Sequence, residues 1–316
     1  MIVEEESMAE MTKNDRVILL SAKEDFQDGR YNQVINKTEH LLEKYPQSLE
    51  LNDLYAIALY ALKRYPEAFK IVEEFADELM AQPKYQEHLL KIFLSNHLFM
   101  LAREVLAQAS ERAAVRWQGQ INQAEDAFRA TGPADLAAQT RKFAYLGALP
   151  VEQQVHEVKS ALKLPLREYV SAAKTILSDA FGWQVSKTQV LLQLMKVQVS
   201  ENVDFVWLDG QTHTISTDEL KPLEESVTFV DVLQKVEQKF AADDPIKLEL
   251  LEKELFTQSN YIYPYFDRVI TNPSFWATAI IAQSFGEPVS AKGPEEKQML
   301  SWIDQIHNQE IKIGLI

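Results

Sequence analysis

The stretches GRYNQVINKTEHLLEKYP (residues 29–46) and KRYPEAFKIVEEF (residues 63–75) place Tyr31 and Tyr65 34 residues apart. With the two tyrosines aligned, Val34, Ala68, Ala102 and Ala137 fall at steps of 34, 34 and 35. Each is expected inside the second helix of a pair, where a small side chain lets that helix approach its partner closely. A break lies ahead of each: Gly29, Lys63, His97 and Gly132. The first helices read as 17–27, 51–62, 86–96 and 115–130, because apolar residues recur there at three and four, as in Trp117, Ile121, Ala124 and Phe128. The pattern is helix, short turn, helix at a fixed interval. One such pair has too little core of its own, so pairs must stack on their neighbours to bury an apolar face.

Composition narrows the classes of function. The chain has 316 residues, 46% hydrophobic and 25% charged, and carries 47 acidic against 32 basic side chains for a net charge of −15. That balance repels phosphate backbones, and the basic runs go no further than LKR and TRK, so nucleic acid is not expected as a partner. The longest apolar patches, such as YAIALYAL at 55–62, have the length of a helix core rather than of a membrane span. The N-terminal MIVEEESMAEM begins acidic, unlike a secretory signal, and with no cysteine in the chain the expected location is cytoplasmic.

The repeat of about 34 residues resembles the tetratricopeptide family. The first unit supplies Ala22, Gly29, Tyr31 and Pro46 to that pattern; the second supplies Ala56, Leu59, Tyr65, Ala68 and a displaced Pro83. The third keeps Phe93, Phe99 and Ala102 with Leu90 where a small residue is usual, and the fourth departs further, at Glu125 and Arg141. The resemblance implies a curved array whose concave face is lined by the first helices and binds a polypeptide. Lys23, Phe26, Asp53, Ile57, Tyr60, Glu87, Lys91 and Leu94 are the residues it places there. The apolar ones among them could equally be core. Members that grip a C-terminal carboxylate need polar groups where this chain has Leu19 and Leu54, and only Lys84 agrees, so that activity is not carried over.

After LGALP (146–150) the register is lost, and a second helical domain over 149–316 is expected to follow a repeat domain over 12–148. Pro165 opens a helix over 166–180, and Ser186 is a candidate cap for one running to Met195. VDFVWLDGQTHTIS (203–216) reads as a β-hairpin with Asp209-Gly210 as a two-residue turn. That turn would pair Leu208 with Gln211, set Phe205 and Trp207 beside Thr212 and Thr214, and leave His213 on the opposite face without a partner. Helices are expected over 226–242, 245–259, 273–285 and 294–309, two of them opened by Asp244-Pro245 and Asn272-Pro273. Between them Tyr261, Tyr263, Tyr265, Phe266, Phe275 and Trp276 gather into either a recognition surface or, the more ordinary case, a corner of the core. In their order, VSKTQVLLQLM, VWLDGQTHTI with LKPL, and YIYPYFDRVITNPSFWATAI resemble the C-terminal half of an uncharacterised Gram-positive bacterial family whose N-terminal half is a tetratricopeptide array. That resemblance implies an architecture and no reaction.

No phosphate loop, serine elbow or kinase signature is present. Six histidines include no pair at i, i+4. Glu152 and His156 have that spacing but no third ligand, so neither a metal nor another cofactor is expected. The sequence therefore predicts a mainly α protein: a helical-hairpin solenoid followed by a second helical domain with a small β-hairpin. The expected role is a non-enzymatic scaffold for a protein or peptide. A small-molecule or peptide sensor, and an enzyme with a site at the domain junction near Trp207 and His213, remain as alternatives. Homodimerisation through the aromatic C-terminal region is left open.

Overall fold

The computed structural model describes residues 11–241 and 244–312. Among them are seventeen α-helices and a single two-stranded antiparallel sheet, so the protein is mainly α with a small β-hairpin. No helix among the described residues is long and apolar enough to cross a membrane. The chain divides into two compact units. Unit 1 runs to Ala137 and takes back Leu162–Leu166, while unit 2 holds Ala138–Ala161 and the residues from Arg167 onward. The sequence reading put one cut after residue 148. The return of Leu162–Leu166 to unit 1 has a visible cause, because the Leu166 N–H donates to the Glu125 carboxylate at 3.2 Å and Leu162 packs on the unit 1 core.

Unit 1 begins with α1 (Lys13–Gln27), α2 (Tyr31–Leu42), α3 (Leu49–Ala61) and α4 (Tyr65–Val72). It continues with the short α5 (Ala76–Met80), then α6 (Pro83–Ser95), α7 (Phe99–Ala107), the long α8 (Glu111–Thr131) and the start of α9 (Pro133–Ala144). Sequence neighbours pack on one another. The 34-residue spacing is written in the backbone as well. Gly29, Lys63 and His97 all take left-handed conformations, with φ of 73°, 61° and 57°. After each, the next N–H reaches back to the carbonyl five residues earlier: Arg30 to Asp25, Arg64 to Leu59 and Leu98 to Phe93, at 2.8, 3.0 and 2.9 Å. This is the Schellman ending, which satisfies carbonyls that a helix terminus would otherwise orphan. Val34, Ala68 and Ala102 are fully buried, as their spacing requires, and so are Ala22 and Ala56.

The fourth step differs from the expected one. Gly132 has φ of −150°, outside the left-handed region, and Ala137 is exposed. Leu136, 34 residues after Ala102, is the buried one. Glu125, which looked out of place, is buried with Arg103, whose Nε donates to it at 2.7 Å. A buried carboxylate is tolerated where a cation and further donors meet it.

Unit 2 contains α10 (Val151–Ser160), α11 (Leu166–Ser178), of which Leu166 itself belongs to unit 1, and α12 (Gln184–Lys196). The hairpin β1 (Asn202–Val206) and β2 (Thr212–Ser216) follows, then α13 (Val227–Phe240), α14 (Pro245–Ile262), α15 (Phe266–Val269), α16 (Pro273–Ser284) and α17 (Pro294–Lys312). Ser226, Asp244 and Asn272 each cap the helix they precede. Ser186 is not a cap: α12 starts two residues earlier, and Ser186 is buried inside it. Of the aromatic run, Tyr261, Tyr263, Phe266 and Trp276 are buried, whereas Tyr265 and Phe275 are half-buried. The core reading therefore holds for most of it.

The hairpin register is one residue off the expected one. Trp207 N–H donates to Gln211 at 3.0 Å around a three-residue loop, with Gly210 left-handed at φ of 73° and Asp209 accepting from the Gln211 N–H at 2.9 Å. A left-handed glycine closing a three-residue turn is the second common hairpin solution, and the Asp side chain selects it here by bonding two residues on. Phe205 consequently pairs with His213, and Asp204 with Thr214. Because side chains alternate along a strand, the slip moves His213 to the face of Phe205 and Trp207.

Candidate functional site

The first helices of unit 1 are α1, α3, α6 and α8, and a polar contact links each to the next. Lys23 on α1 pairs with Glu50 on α3. Asp53 on α3 accepts from His88 on α6, whose Nδ1 lies 3.0 and 2.9 Å from its two oxygens. Glu87 on α6 meets Arg116 on α8 at 2.8 Å and Lys91 on its own helix at 3.0 Å. The contacts span 27, 35 and 29 positions, so they join consecutive first helices without falling at one register of the repeat.

The eight residues singled out from the sequence fall into three groups. Lys23, Glu87 and Lys91 are charged groups open to solvent. Phe26, Tyr60 and Leu94 are half-buried at one 34-residue register, three residues before each left-handed turn. There the Phe26 ring meets Tyr31 and the Tyr60 ring meets Tyr65, each at 5.4 Å. Asp53 and Ile57 are buried, so they act beneath the face rather than on it. The partners Glu50, His88 and Arg116 were not singled out. Their signal was available in principle, since each brings the sign its neighbour lacks, but the pairing crosses between helices and needs the stacking to be known.

The electrostatics of the row vary along its length. Burial raises the Asp53 carboxyl above its usual value although His88 pulls it down. Glu87 is held below the usual range by its hydrogen bond to Lys91 and, after that, by Arg116. Tyr85, on α6 between these groups, has its hydroxyl buried without a partner among the described residues, and burial together with Glu50 and Asp53 pushes its ionisation upward. Leu19 and Leu54 are both buried, and Lys84 sits over the Tyr85 ring at 4.3 Å.

The other candidate lies wholly in unit 2. His213 does have a partner: its Nε2 is 3.0 and 3.1 Å from the oxygens of Asp209. The imidazole stands against Trp207 and Tyr265, while Arg268 bonds Asp209 at 3.2 Å and stacks over the Trp207 ring at 5.3 Å. Among the described residues His213 hydrogen-bonds to Asp209 and to no hydroxyl, and the arrangement is that of a packed cation–aromatic layer. No group of three or more potential metal ligands occurs among the described residues, and Glu152 and His156 are both exposed. Comparison with protein-family models, with curated proteins and with solved structures found no match.

Proposed function

We propose that the protein is a non-enzymatic interaction module that binds a polypeptide on the face carried by α1, α3, α6 and α8, in the manner the resemblance to tetratricopeptide proteins implies. The supporting observation is the ladder of polar pairs that joins consecutive first helices. Lys23, Glu50, Glu87, Lys91 and Arg116 stay partly solvated there, so charges of both signs are offered in a fixed order. Exposed pairs contribute little to stability, about 0–1 kcal/mol each, so they can exchange partners at small cost. Half-buried Phe26 and Tyr60 add apolar surface of the kind that anchors interfaces. Charges of both signs favour a partner that also carries both.

The experiment is site-specific photocrosslinking in the cell of origin. A photoreactive residue at Lys91 or Tyr60 is expected to yield one discrete protein adduct, and Lys91→Glu or Lys23→Glu to reduce the adduct formed at Tyr60. The same residue at Phe181, which is 86% exposed in unit 2, serves as the control. An adduct equally strong at Phe181, or one indifferent to both charge reversals, would dispose of this face. Asp53 is unsuitable for such a test because reversing a buried charge perturbs folding.

A further inference from the structure

Unit 2 holds a half-open groove of about 470 Å³ between the segment after β2, the start of α13 and the turn into α15. That volume is within the range of binding clefts, roughly 300–1,000 Å³. Its apolar surface comes from Pro222, Val227, Pro264, Tyr265 and Phe266. Val227 is 75% exposed at the first position of α13, where neither the core nor the cap requires an apolar side chain. The Tyr265 ring is fixed from behind by Trp207 at 4.9 Å, and its hydroxyl has no hydrogen-bond partner among the described residues.

Charge gives the groove a sign. Three carboxylates, Glu219, Glu225 and Asp267, and two cations, Lys221 and Arg268, line it. Arg268 is already committed to Asp209 and to the rings of Trp207 and Tyr265, and among the described residues Asp267 accepts only from the neutral hydroxyl of Thr228. Glu219 and Glu225 are exposed and make no ion pair among the described residues. The local excess is acidic, on a chain whose net charge is −15.

We propose that this groove binds an extended, proline-containing peptide segment that carries lysine or arginine. A polyproline II segment arrives with its backbone already extended and its carbonyls unbonded, which keeps the ordering cost of binding low. Its rings fit against Tyr265 and the two groove prolines, its carbonyls accept from the free Tyr265 hydroxyl, and its cations pair with Glu219 and Glu225. The site shares no residue with the first-helix face of unit 1, so the two readings stand or fall separately.

The test begins by panning the full chain against a phage-displayed library of random dodecapeptides. The expected selection combines proline with at least two basic residues. A synthetic fluorescent peptide of the consensus should then lose at least tenfold in affinity, by fluorescence polarisation, towards the double variant Glu219→Lys/Glu225→Lys and towards Val227→Arg. Lys91→Glu should leave it unchanged. All these positions are exposed, and circular dichroism melting checks that the variants fold. Three results would overturn the proposal: no enrichment above an unrelated helical bait, a selection that is acidic or free of proline, or a consensus peptide that ignores the groove variants and responds to Lys91→Glu.

Discussion

Unit 1 and unit 2 are both helical, yet they are fastened in opposite ways. In unit 1 the fastening is short-range and repeated: three left-handed turns, small buried residues at one register, and cross-helix pairs such as Asp53–His88, 35 positions apart. In unit 2 it is long-range and made once. Trp183 Nε1 donates to the Tyr261 hydroxyl across 78 positions, Thr188 to the Asn260 carbonyl across 72, Trp207 to the Tyr263 carbonyl across 56, and Gln305 to the Leu208 carbonyl across 97. Local contacts close small loops and form early, whereas distant ones wait for the rest of the chain. The same sequence therefore encodes one unit as a rule and the other as a set of particular agreements.

The sharpest way to break that contrast is to remove an agreement. Trp276→Ala, at a side chain 1% exposed, should lower stability by about 3–5 kcal/mol, seen as a lower urea midpoint. Overfilling the rule, with Ala102→Leu, should cost less, about 1–3 kcal/mol, because neighbouring helix pairs can shift. Equal costs would erase the distinction.

The charged exception inside unit 1 comes next. Glu125→Ala leaves Arg103 buried without its carboxylate and should cost about 3 kcal/mol, while Arg103→Met combined with Glu125→Leu should recover most of that loss in the same assay. In unit 2 the corresponding lone charge is Glu310 on α17, whose carboxyl is pushed up to about 7 by burial and then by Glu254. Between pH 4.5 and 7 the unfolded chain releases this proton and the folded one retains it. The contribution of this group to stability is therefore greatest on the acid side, falls across that window by about 3 kcal/mol, and levels above it. Glu310→Gln should flatten this segment of a plot of urea midpoint against pH.

The smallest effects probe the turns. Gly29→Ala meets no atom within 4 Å, so its expected cost of about 1 kcal/mol is purely that of the left-handed backbone. Lys63→Gly should gain up to about 1 kcal/mol, and His97→Gly less, because its ring also stands against Phe99 and Phe128. A turn series that fails to change sign in this way would mean the three endings are not equivalent.

How much could be read beforehand follows the same division. The helix pairs of unit 1, three of its turns and its buried small residues were visible because spacing alone specifies them, whereas the short α5 was not. The fourth step was misplaced by one residue, since Gly132 looks like the other breaks and only packing shows that Leu136, not Ala137, turns inward. In unit 2 the capped helix starts were visible, because Asp244-Pro245 and Asn272-Pro273 state them locally. The hairpin register was not, because Asp209-Gly210 fits both a two-residue and a three-residue loop and the choice between them moves His213 across the sheet. The polar ladder and the groove were hidden for a further reason. Both depend on residues that become neighbours only after helices have packed, and periodicity carries no information about which charge meets which.

The small excursion of residues 162–166 carries a practical lesson for anyone wishing to dissect the molecule. A fragment stopped at residue 148 would contain every helix pair and still forfeit the amide that quiets Glu125, so it would misbehave for reasons unrelated to its helices. Leaving those five residues attached, on a linker that bypasses 138–161, is the incision the chain's own route recommends.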